Sequence, residues 1–154
     1  MLTADIRQLI QDHPLGFVAT VTSDGAPNLS PKGTFFVIDD ATIAFGEIRS
    51  PGTIRNLAAN DRIEVNFIDP FTRKGCRVAG RAAIIPRSDE RFDALLAHFS
   101  GSLGARFRSI VTIAVTKALP VTSPAYDDGA QEDDLRRSWT TRFRKLQPGG
   151  QFSE

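Results

Sequence analysis

The stretch that decides the fold is "SPGTIRNLAANDRIEVNFID", residues 50–69, in which the spacing of the apolar residues changes halfway. In its first half Ile54 and Leu57 recur at helical spacing after the pair Ser50 and Pro51, which is typical of a helix N-cap followed by proline in the first turn. In its second half apolar and polar residues alternate, which is the period of a half-buried strand. The apolar set of that strand is Ile63, Val65 and Phe67. We therefore predict a short helix that leads directly into a strand.

The segment before this stretch, residues 16–47, contains β-branched and aromatic runs separated by Asp-Gly at 24–25 and Asp-Asp at 39–40. Both pairs are good turn formers, so the segment predicts three strands in an antiparallel meander. Pro31 and Gly33 interrupt the second of these strands. Such an interruption indicates a sheet edge, a bulge, or a place where another group approaches the backbone closely.

The rest of the chain adds two further strands and three further helices. The strands are predicted at residues 76–85 and 109–119, and the helices at 3–13, 88–99 and 131–147. Six strands with single helices between them, most of them joined by tight turns, favour an antiparallel β-barrel with peripheral helices over alternating βα units. We expect one domain over residues 1–147, including the C-terminal helix, and a flexible tail over 148–154.

Composition excludes several classes of function. The chain has 154 residues, 41% hydrophobic, and a net charge of +1, so it lacks the overall field of a protein that binds nucleic acid or a membrane surface. One cysteine, Cys76, and two histidines argue against a disulfide framework and against a zinc site. No apolar run reaches membrane-spanning length. The expected location is the cytoplasm.

Candidate functional residues are polar donors, without an evident nucleophile or general base. They are Ser30, Lys32, Arg49, Ser50, Thr53, Arg55 and Asn56. The start of the helix after Ser50, flanked by two arginines, suits a phosphate, although a capped surface helix with solvated arginines explains the same residues. Lys32 is either a solvated edge lysine or a cation beside a cofactor. Because binding groups are present without catalytic side chains, a cofactor is expected to supply the chemistry.

Taken in order, three passages of the sequence resemble the pyridoxamine 5'-phosphate oxidase-like, FMN-binding split-barrel family. The passages are "GFVATVTSDGAPNLSPKGTFFVIDDATIAFGE", "SPGTIRNLAANDRIEVNFID" and "CRVAGRAAII", within a similarity that covers residues 3–117. The resemblance implies a mainly β, six-stranded antiparallel split barrel that forms a homodimer with two FMN sites between the subunits.

The resemblance also implies which residues contact the cofactor. Arg49, Ser50, Thr53 and Arg55 would bind the phosphate and ribityl chain, with Asn56 close by. Ser30, Pro31, Lys32 and Gly33 would border the isoalloxazine ring, where Lys32 or a backbone N–H can stabilise negative charge on the flavin. Trp139 would cover the cofactor of the partner subunit. No catalytic side chain and no metal site are predicted.

The sequence departs from the oxidase itself at two places. The oxidase has a basic pair where this chain has Gly52 and Thr53, so Arg49 and Arg55 must supply the positive charge. The oxidase's C-terminal substrate-binding signature is not evident around Trp139. The expected activity is therefore FMN-dependent hydride or electron transfer to or from a small substrate, and pyridoxamine 5'-phosphate oxidation is not expected.

Several alternatives stay open at this point. A non-catalytic flavin-binding carrier or sensor would also lack acid-base residues, and related split barrels use a deazaflavin or bind haem. Of these, haem is disfavoured because both histidines fall outside the predicted strands. A barrel without any ligand predicts a colourless protein.

Overall fold

The computed structural model describes residues 1–147, so the predicted tail at 148–154 lies outside the described residues. The elements, in chain order, are α1 (Ala4–Asp12), β1 (Gly16–Val21), β2 (Pro27–Lys32), β3 (Phe35–Val37), β4 (Thr42–Glu47), α2 (Pro51–Ala59), β5 (Arg62–Ile68), β6 (Lys74–Pro86), α3 (Phe92–Leu96), β7 (Ser109–Thr122) and α4 (Glu132–Leu146). The prediction of a mainly β barrel with peripheral helices is confirmed.

The strands form one antiparallel sheet in the order β2-β1-β5-β6-β7-β4-β3. The two edge strands, β2 and β3, are consecutive in the chain and are separated only by Gly33 and Thr34. Because two residues span only about 7 Å, the two edges must lie close together and the sheet must curl into a barrel with a seam there. The sheet has seven strands instead of the predicted six, since the interruption at Gly33 divides the predicted second strand into β2 and β3.

The barrel interior is an aromatic and aliphatic core. Phe35 lies between Phe45 and Phe67, with ring centroids 5.1 and 4.8 Å away, and all three side chains are buried. A second apolar cluster lies on the other side of the sheet, and its buried members are Phe36, Ala44, Ile85, Phe92, Phe107 and Ile110. Through Phe107 this second cluster anchors the segment just before β7, and that segment lines the cleft described below.

The helices differ in how closely they follow the predictions. α1 begins after Thr3, whose Oγ1 accepts a hydrogen bond from the N–H of Ile6, as its sequence indicates. α3 is only five residues long and its N-cap is Arg91, so the prediction of a helix over 88–99 that begins at Ser88 was too long. α4 buries none of its residues. None of the helices in residues 1–147 has the length and hydropathy needed to cross a membrane.

Candidate functional site

A cleft of about 630 Å³ opens at the seam of the barrel. Three segments line it: the turn between β2 and β3, the end of β4 with the start of α2, and the residues just before β7. Its lining residues are Pro31, Lys32, Gly33, Thr34, Gly46, Ile48, Arg49, Ser50, Arg106 and Arg108. The volume falls in the range of small-molecule and cofactor sites.

Backbone and side-chain hydrogen bonds hold the seam in shape. The N–H of Gly46 donates to the carbonyl of Thr34 over 3.3 Å, and the Thr34 hydroxyl donates to the carbonyl of Gly46 over 2.6 Å. Position 46 must be glycine, because a Cβ there would overlap the ring of Phe107. At Gly33, by contrast, the space around a Cβ would be empty, so the backbone there is open to an approaching group.

The start of α2 forms one wall of the cleft. Ser50 occupies the N-cap position, as predicted, but its side chain does not cap the helix. Instead the backbone N–H of Ser50 donates to the carboxylate of Glu47, and the Ser50 hydroxyl lies 3.3 Å from the same oxygen. The first turn of α2 therefore keeps backbone N–H groups that no side chain caps, at the positive end of the helix dipole.

Positive charge dominates the cleft. Lys32, Arg49, Arg106 and Arg108 line it, and none of the four forms an ion pair within residues 1–147. Glu47 is buried beside them, and its carboxylate accepts the hydrogen bonds from Ser50. A concave surface with several cations and one engaged carboxylate attracts anions.

Lys32 combines burial with charge. Its ammonium donates a hydrogen bond to the hydroxyl of Ser30 over 2.5 Å, and 9% of the residue is exposed. Burial lowers the pKa of the Lys32 ammonium, and the nearby Glu47 carboxylate opposes that change. Of the two alternatives for Lys32, the solvated edge lysine does not fit, because the residue is largely buried although it lies at the end of an edge strand.

The remaining predicted residues on α2 lie away from the cleft surface. Thr53 is 2% exposed, and the amide of Asn56 donates to the hydroxyl of Thr20 over 2.9 Å, which ties α2 to β1. Arg55 lines a separate depression together with Thr22. Its terminal nitrogen reaches to within 4.0 Å of the point that a Cβ on Gly52 would occupy, so the guanidinium extends back toward the first turn of α2.

Trp139 lies in another part of the molecule. The guanidinium of Arg73 stacks over its ring at 3.4 Å, and the ring of Phe143 lies 6.0 Å away. Trp139 lines a depression at the ends of β5 and β7, away from the seam cleft of its own chain. Its contact with a cofactor bound to a partner subunit stays a prediction.

Cys76, His13 and the acidic residues form no site of their own with the seam cleft among residues 1–147. Cys76 is buried, and burial raises the pKa of its thiol to about 12, so it is a packed thiol and not an activated nucleophile. His13 ends α1, with Nε2 3.7 Å from the carboxylate of Asp69. No group of three histidine, cysteine or acidic residues in the described chain is arranged to hold a metal ion.

Comparison with known families agrees with this architecture. The profile of the pyridoxamine 5'-phosphate oxidase family matches residues 2–129, which is most of the chain. The chain belongs to the pyridoxamine 5'-phosphate oxidase family. The match ends before α4, so the profile does not cover that helix. No curated protein matches the sequence significantly.

Solved structures of similar proteins share the family fold. HupZ from Group A Streptococcus is 29% identical, with a TM-score of 0.70 over 80% of this chain and 96% of that one. An FMN-binding protein from Syntrophomonas wolfei is 19% identical, with a TM-score of 0.65 over 77% of this chain and 84% of that one. An FAD-binding protein from Mesorhizobium loti is 18% identical, with a TM-score of 0.59 over 77% of this chain and 94% of that one.

Sequence reasoning missed two arginines that line the cleft, Arg106 and Arg108, and the buried Glu47 beside them. The two arginines flank Phe107 in the order Arg-Phe-Arg, directly before the apolar run of β7. That alternation predicts that the aromatic residue is buried while both arginines share the opposite face. Glu47 gave no such signal, since an acidic residue at the end of a strand is ordinary.

Proposed function

We propose that this member of the pyridoxamine 5'-phosphate oxidase family is an FMN-dependent oxidoreductase that binds its cofactor in the seam cleft. One observation carries the proposal: Lys32 and three arginines converge, without ion-pair partners in the described chain, beside the uncapped start of α2. A phosphate group matches that arrangement, because backbone N–H groups at a helix start and guanidinium groups both bind phosphate oxygens.

The residues of the cleft fit FMN in two respects. Arg49 and Ser50 at the start of α2 would hold the phosphate. Arg55 does not line the cleft, but its guanidinium extends toward the first turn of α2 and would approach the phosphate from there. The open backbone at Gly33 leaves room for a flat ring at the seam, between the two edges of the sheet. FMN, when bound, supplies hydride and electron transfer, so the protein needs no side-chain nucleophile.

The chain's own residues would position the ring and tune the charge around it. Ser30 accepts the hydrogen bond that orients the Lys32 ammonium, and Glu47 lies close enough to favour its protonated form. The pair would hold a positive charge where electron density increases on reduction of a bound ring. The substrate would be a small molecule, and the described lining of the cleft includes no histidine.

We further propose that the protein is a homodimer with the cofactor between the subunits. Phe17, Val21 and Leu29 are exposed on the outer face of β1 and β2, and β2 continues directly into the cleft at Pro31 and Lys32. Exposed apolar side chains that adjoin an open cleft suit a second copy of the chain, which would close the site from outside.

We also propose that the protein is cytoplasmic, since its one cysteine is a buried free thiol.

The first test is an absorption spectrum followed by titration of the ligand-free protein with FMN and riboflavin. If the phosphate binds at the start of α2, FMN binds at least tenfold more tightly than riboflavin, which lacks the phosphate. Equal affinities would remove the phosphate from the cleft, and no flavin binding would overturn the proposal. Anaerobic reduction by NADH or NADPH then separates an oxidoreductase from a flavin carrier, and a parallel deazaflavin titration tests the other cofactor.

The dimer is tested by light scattering with two variants of matched exposure. Leu29→Glu changes a residue that is 66% exposed on the outer sheet face, and Leu146→Glu changes one that is 63% exposed at the end of α4. We expect Leu29→Glu to give monomers with weakened FMN binding and Leu146→Glu to remain dimeric. A wild-type protein that is monomeric and still binds FMN tightly would contradict the interface.

A further inference from the structure

One face of α4 carries the ion pairs and ring contacts that join this helix to the barrel. Its members, Glu132, Arg136, Trp139 and Phe143, follow one another at i, i+4, i+7 and i+11, so they form one stripe along the helix. All four contact one short segment, residues 69–74, which is the turn between β5 and β6 together with the first residue of β6. Because α4 buries none of its residues, this stripe is its attachment to the barrel.

Two ion pairs hold the first half of the stripe. The Lys74 ammonium lies 2.5 Å from the Glu132 carboxylate, and the Arg136 guanidinium lies 3.8 Å from one carboxylate oxygen of Asp69. The Nε2 atom of His13, at the end of α1, lies 3.7 Å from the other oxygen of Asp69. Lys74, Glu132 and Arg136 are all more than two-fifths exposed, so both pairs are open to solvent and are weakened by salt.

Two ring contacts hold the second half of the stripe. The Arg73 guanidinium stacks over Trp139 at 3.4 Å, and the ring centroids of Phe71 and Phe143 are 5.4 Å apart. Arg73 has a φ of 59°, and among residues 1–147 it is the one residue other than glycine with a positive φ. Such a backbone conformation is unfavourable for arginine and persists only where the surrounding structure supports it. The turn is therefore shaped for its contact with α4.

Asp69 organises this turn in addition to pairing with α4. Its carboxylate accepts hydrogen bonds from the N–H of Phe71 over 2.8 Å and from the hydroxyl of Thr72 over 2.7 Å. Although burial opposes the change, these hydrogen bonds hold the pKa of Asp69 below its ordinary value of 3.8. A hydrogen bond from Lys74 likewise holds the pKa of Glu132 below 4.5. Both groups are therefore ionised at neutral pH and become neutral only below about pH 4.

Acid reverses the charge balance of this contact. Once Asp69 and Glu132 are protonated, the negative charges that face the basic groups are gone. The basic groups that remain are His13 when protonated, Arg73, Lys74 and Arg136. Tyr126, whose ring lies 5.1 Å from the Lys74 ammonium, adds no negative charge at acid pH. Like charges on the turn and on α4 then repel each other.

The link between the barrel and α4 permits a separation. The hydroxyl of Tyr126 donates to the carbonyl of Thr72 over 2.6 Å, which keeps the chain on the barrel just before the link. Residues 127–131 then lead to α4. Within them Gly129 has a φ of 88°, and no neighbouring atom crowds the place of a Cβ there. The helix can therefore move while the chain before it stays in place.

We propose that α4 is a releasable strap, which detaches from residues 69–74 while the barrel stays folded, and that loss of the negative charges of Asp69 and Glu132 drives its release. In the attached state α4 forms one wall of the depression that Trp139 lines. Release of the strap opens that depression to solvent. The strap does not rest on the proposed function, because none of its contacts involves the seam cleft.

Trp139 makes the release directly measurable, since it is the single tryptophan of the chain. Quenching of its fluorescence by acrylamide, in the full-length protein between pH 7 and 2.5, measures how accessible α4 leaves the ring. Hydrogen exchange with mass spectrometry at the same pH values measures whether β4 and β7 stay protected. Together the two measurements separate release of the strap from unfolding of the barrel.

Two double variants test the contact itself. K74Q/R136Q removes the cation of each ion pair, and R137Q/K145Q is the control, which also removes one lysine and one arginine. Arg137 follows Arg136 directly but pairs with Asp134. Arg137 and Lys145 line a depression on α4 that includes no residue of the turn. All four side chains reach solvent, so both double variants should fold, which thermal unfolding verifies.

In wild type we expect quenching of Trp139 to rise below about pH 4 while β4 and β7 are still protected. At pH 7 we expect the α4 amides of K74Q/R136Q to exchange about threefold or more faster than those of wild type, with the strands unchanged. The acid-dependent rise in quenching should also be smaller in K74Q/R136Q, because two of the repelling cations are gone. The control should exchange like wild type.

Three results would overturn the strap. The first is that Trp139 and the strands become accessible at the same pH, or that neither does, because α4 would then stay attached for as long as the barrel is folded. The second is wild-type exchange of α4 in K74Q/R136Q. The third is an equal acceleration in R137Q/K145Q, which would assign the effect to the charge of the helix instead of its contact with the turn. No readout uses a flavin, so failure of the proposed function leaves these outcomes unchanged.

Discussion

The seam cleft and the surroundings of α4 are both rich in cations, yet they use them differently. Around α4 three cations have partners in the chain: Lys74 lies 2.5 Å from the carboxylate of Glu132, Arg136 lies 3.8 Å from that of Asp69, and Arg73 stacks on Trp139. In the cleft the lining cations form no ion pair with any described residue. Cations that pair within the chain stabilise structure, whereas cations that converge without partners are available to a ligand.

The two regions also differ in their apolar support. The cleft rests on Phe107 and the buried cluster beneath the sheet, while α4 buries no residue and contacts the barrel through Phe71 and Phe143, whose ring centroids are 5.4 Å apart. The family profile covers the whole cleft, whereas it ends before α4 itself. Substitutions in the two regions should therefore differ both in size and in kind.

The largest expected difference comes from removing one aromatic ring in each region. Phe107→Ala should lower the free energy of unfolding by about 3–5 kcal/mol, because it leaves a cavity under the cleft. Phe143→Ala should cost about 0.5–1.5 kcal/mol, the range of a partly exposed aromatic pair. Chemical denaturation of both variants measures the difference, and equal losses would mean that α4 is as integral to the fold as the core.

The next effect is on binding. Arg49→Ala should weaken FMN binding by about 1.5–3 kcal/mol, because it removes a charge-assisted hydrogen bond to phosphate. Arg137→Ala, which removes an engaged arginine of α4, should leave FMN affinity unchanged. Fluorescence titration compares the two variants. Unchanged affinity in Arg49→Ala would show that an arginine without an ion pair is not by itself a sign of a phosphate site here.

The next prediction concerns Asp69, near α4, and the stability of the fold at acid pH. Its expected effect is comparable to or smaller than that of Arg49→Ala. Burial would raise the pKa of the Asp69 carboxyl, but hydrogen bonds from Thr72 and Phe71, together with nearby His13, lower it below its ordinary value of 3.8. The folded state therefore gains stability from ionised Asp69 above about pH 4, and loses it as the pH falls through the lowered pKa.

Asp69→Asn tests this dependence. We expect it to cost about 1–3 kcal/mol at neutral pH, because buried donors lose a charged acceptor. We also expect the loss of stability below pH 4 to be shallower in the variant than in wild type. Denaturation curves between pH 2.5 and 7 follow both, and identical pH profiles would exclude Asp69 as the responsible group.

The smallest effect is expected for the ion pair between Lys74 and Glu132. Both side chains are more than two-fifths exposed, so their interaction should contribute about 0.2–1 kcal/mol and weaken with salt. A double-mutant cycle with Lys74→Gln and Glu132→Gln isolates that interaction. A value well above 1 kcal/mol would indicate that ion pairs hold α4 more firmly than its exposure suggests.

Local sequence rules were sufficient for most of the fold. Alternation in β5, the Ser50-Pro51 start of α2 and the interruption at Gly33 were all readable, because each depends on neighbours within a few residues. The length of α3 was not, since an acidic and apolar pattern favours a helix whether or not the chain has room to form one. The seventh strand came from the same interruption at Gly33 that the sequence had already indicated.

The candidate site likewise combines features that the local sequence predicts with features that it does not. The sequence by itself determined that Lys32, Arg49 and Ser50 come from two segments rich in binding groups, because residue type and a helix start are local properties. Only the tertiary structure decided that Arg106 and Arg108, more than fifty residues later in the chain, line the same cleft. The pairing of β7 with β4 brings them there, and pairing between strands so distant in the chain depends on burying the whole core at once.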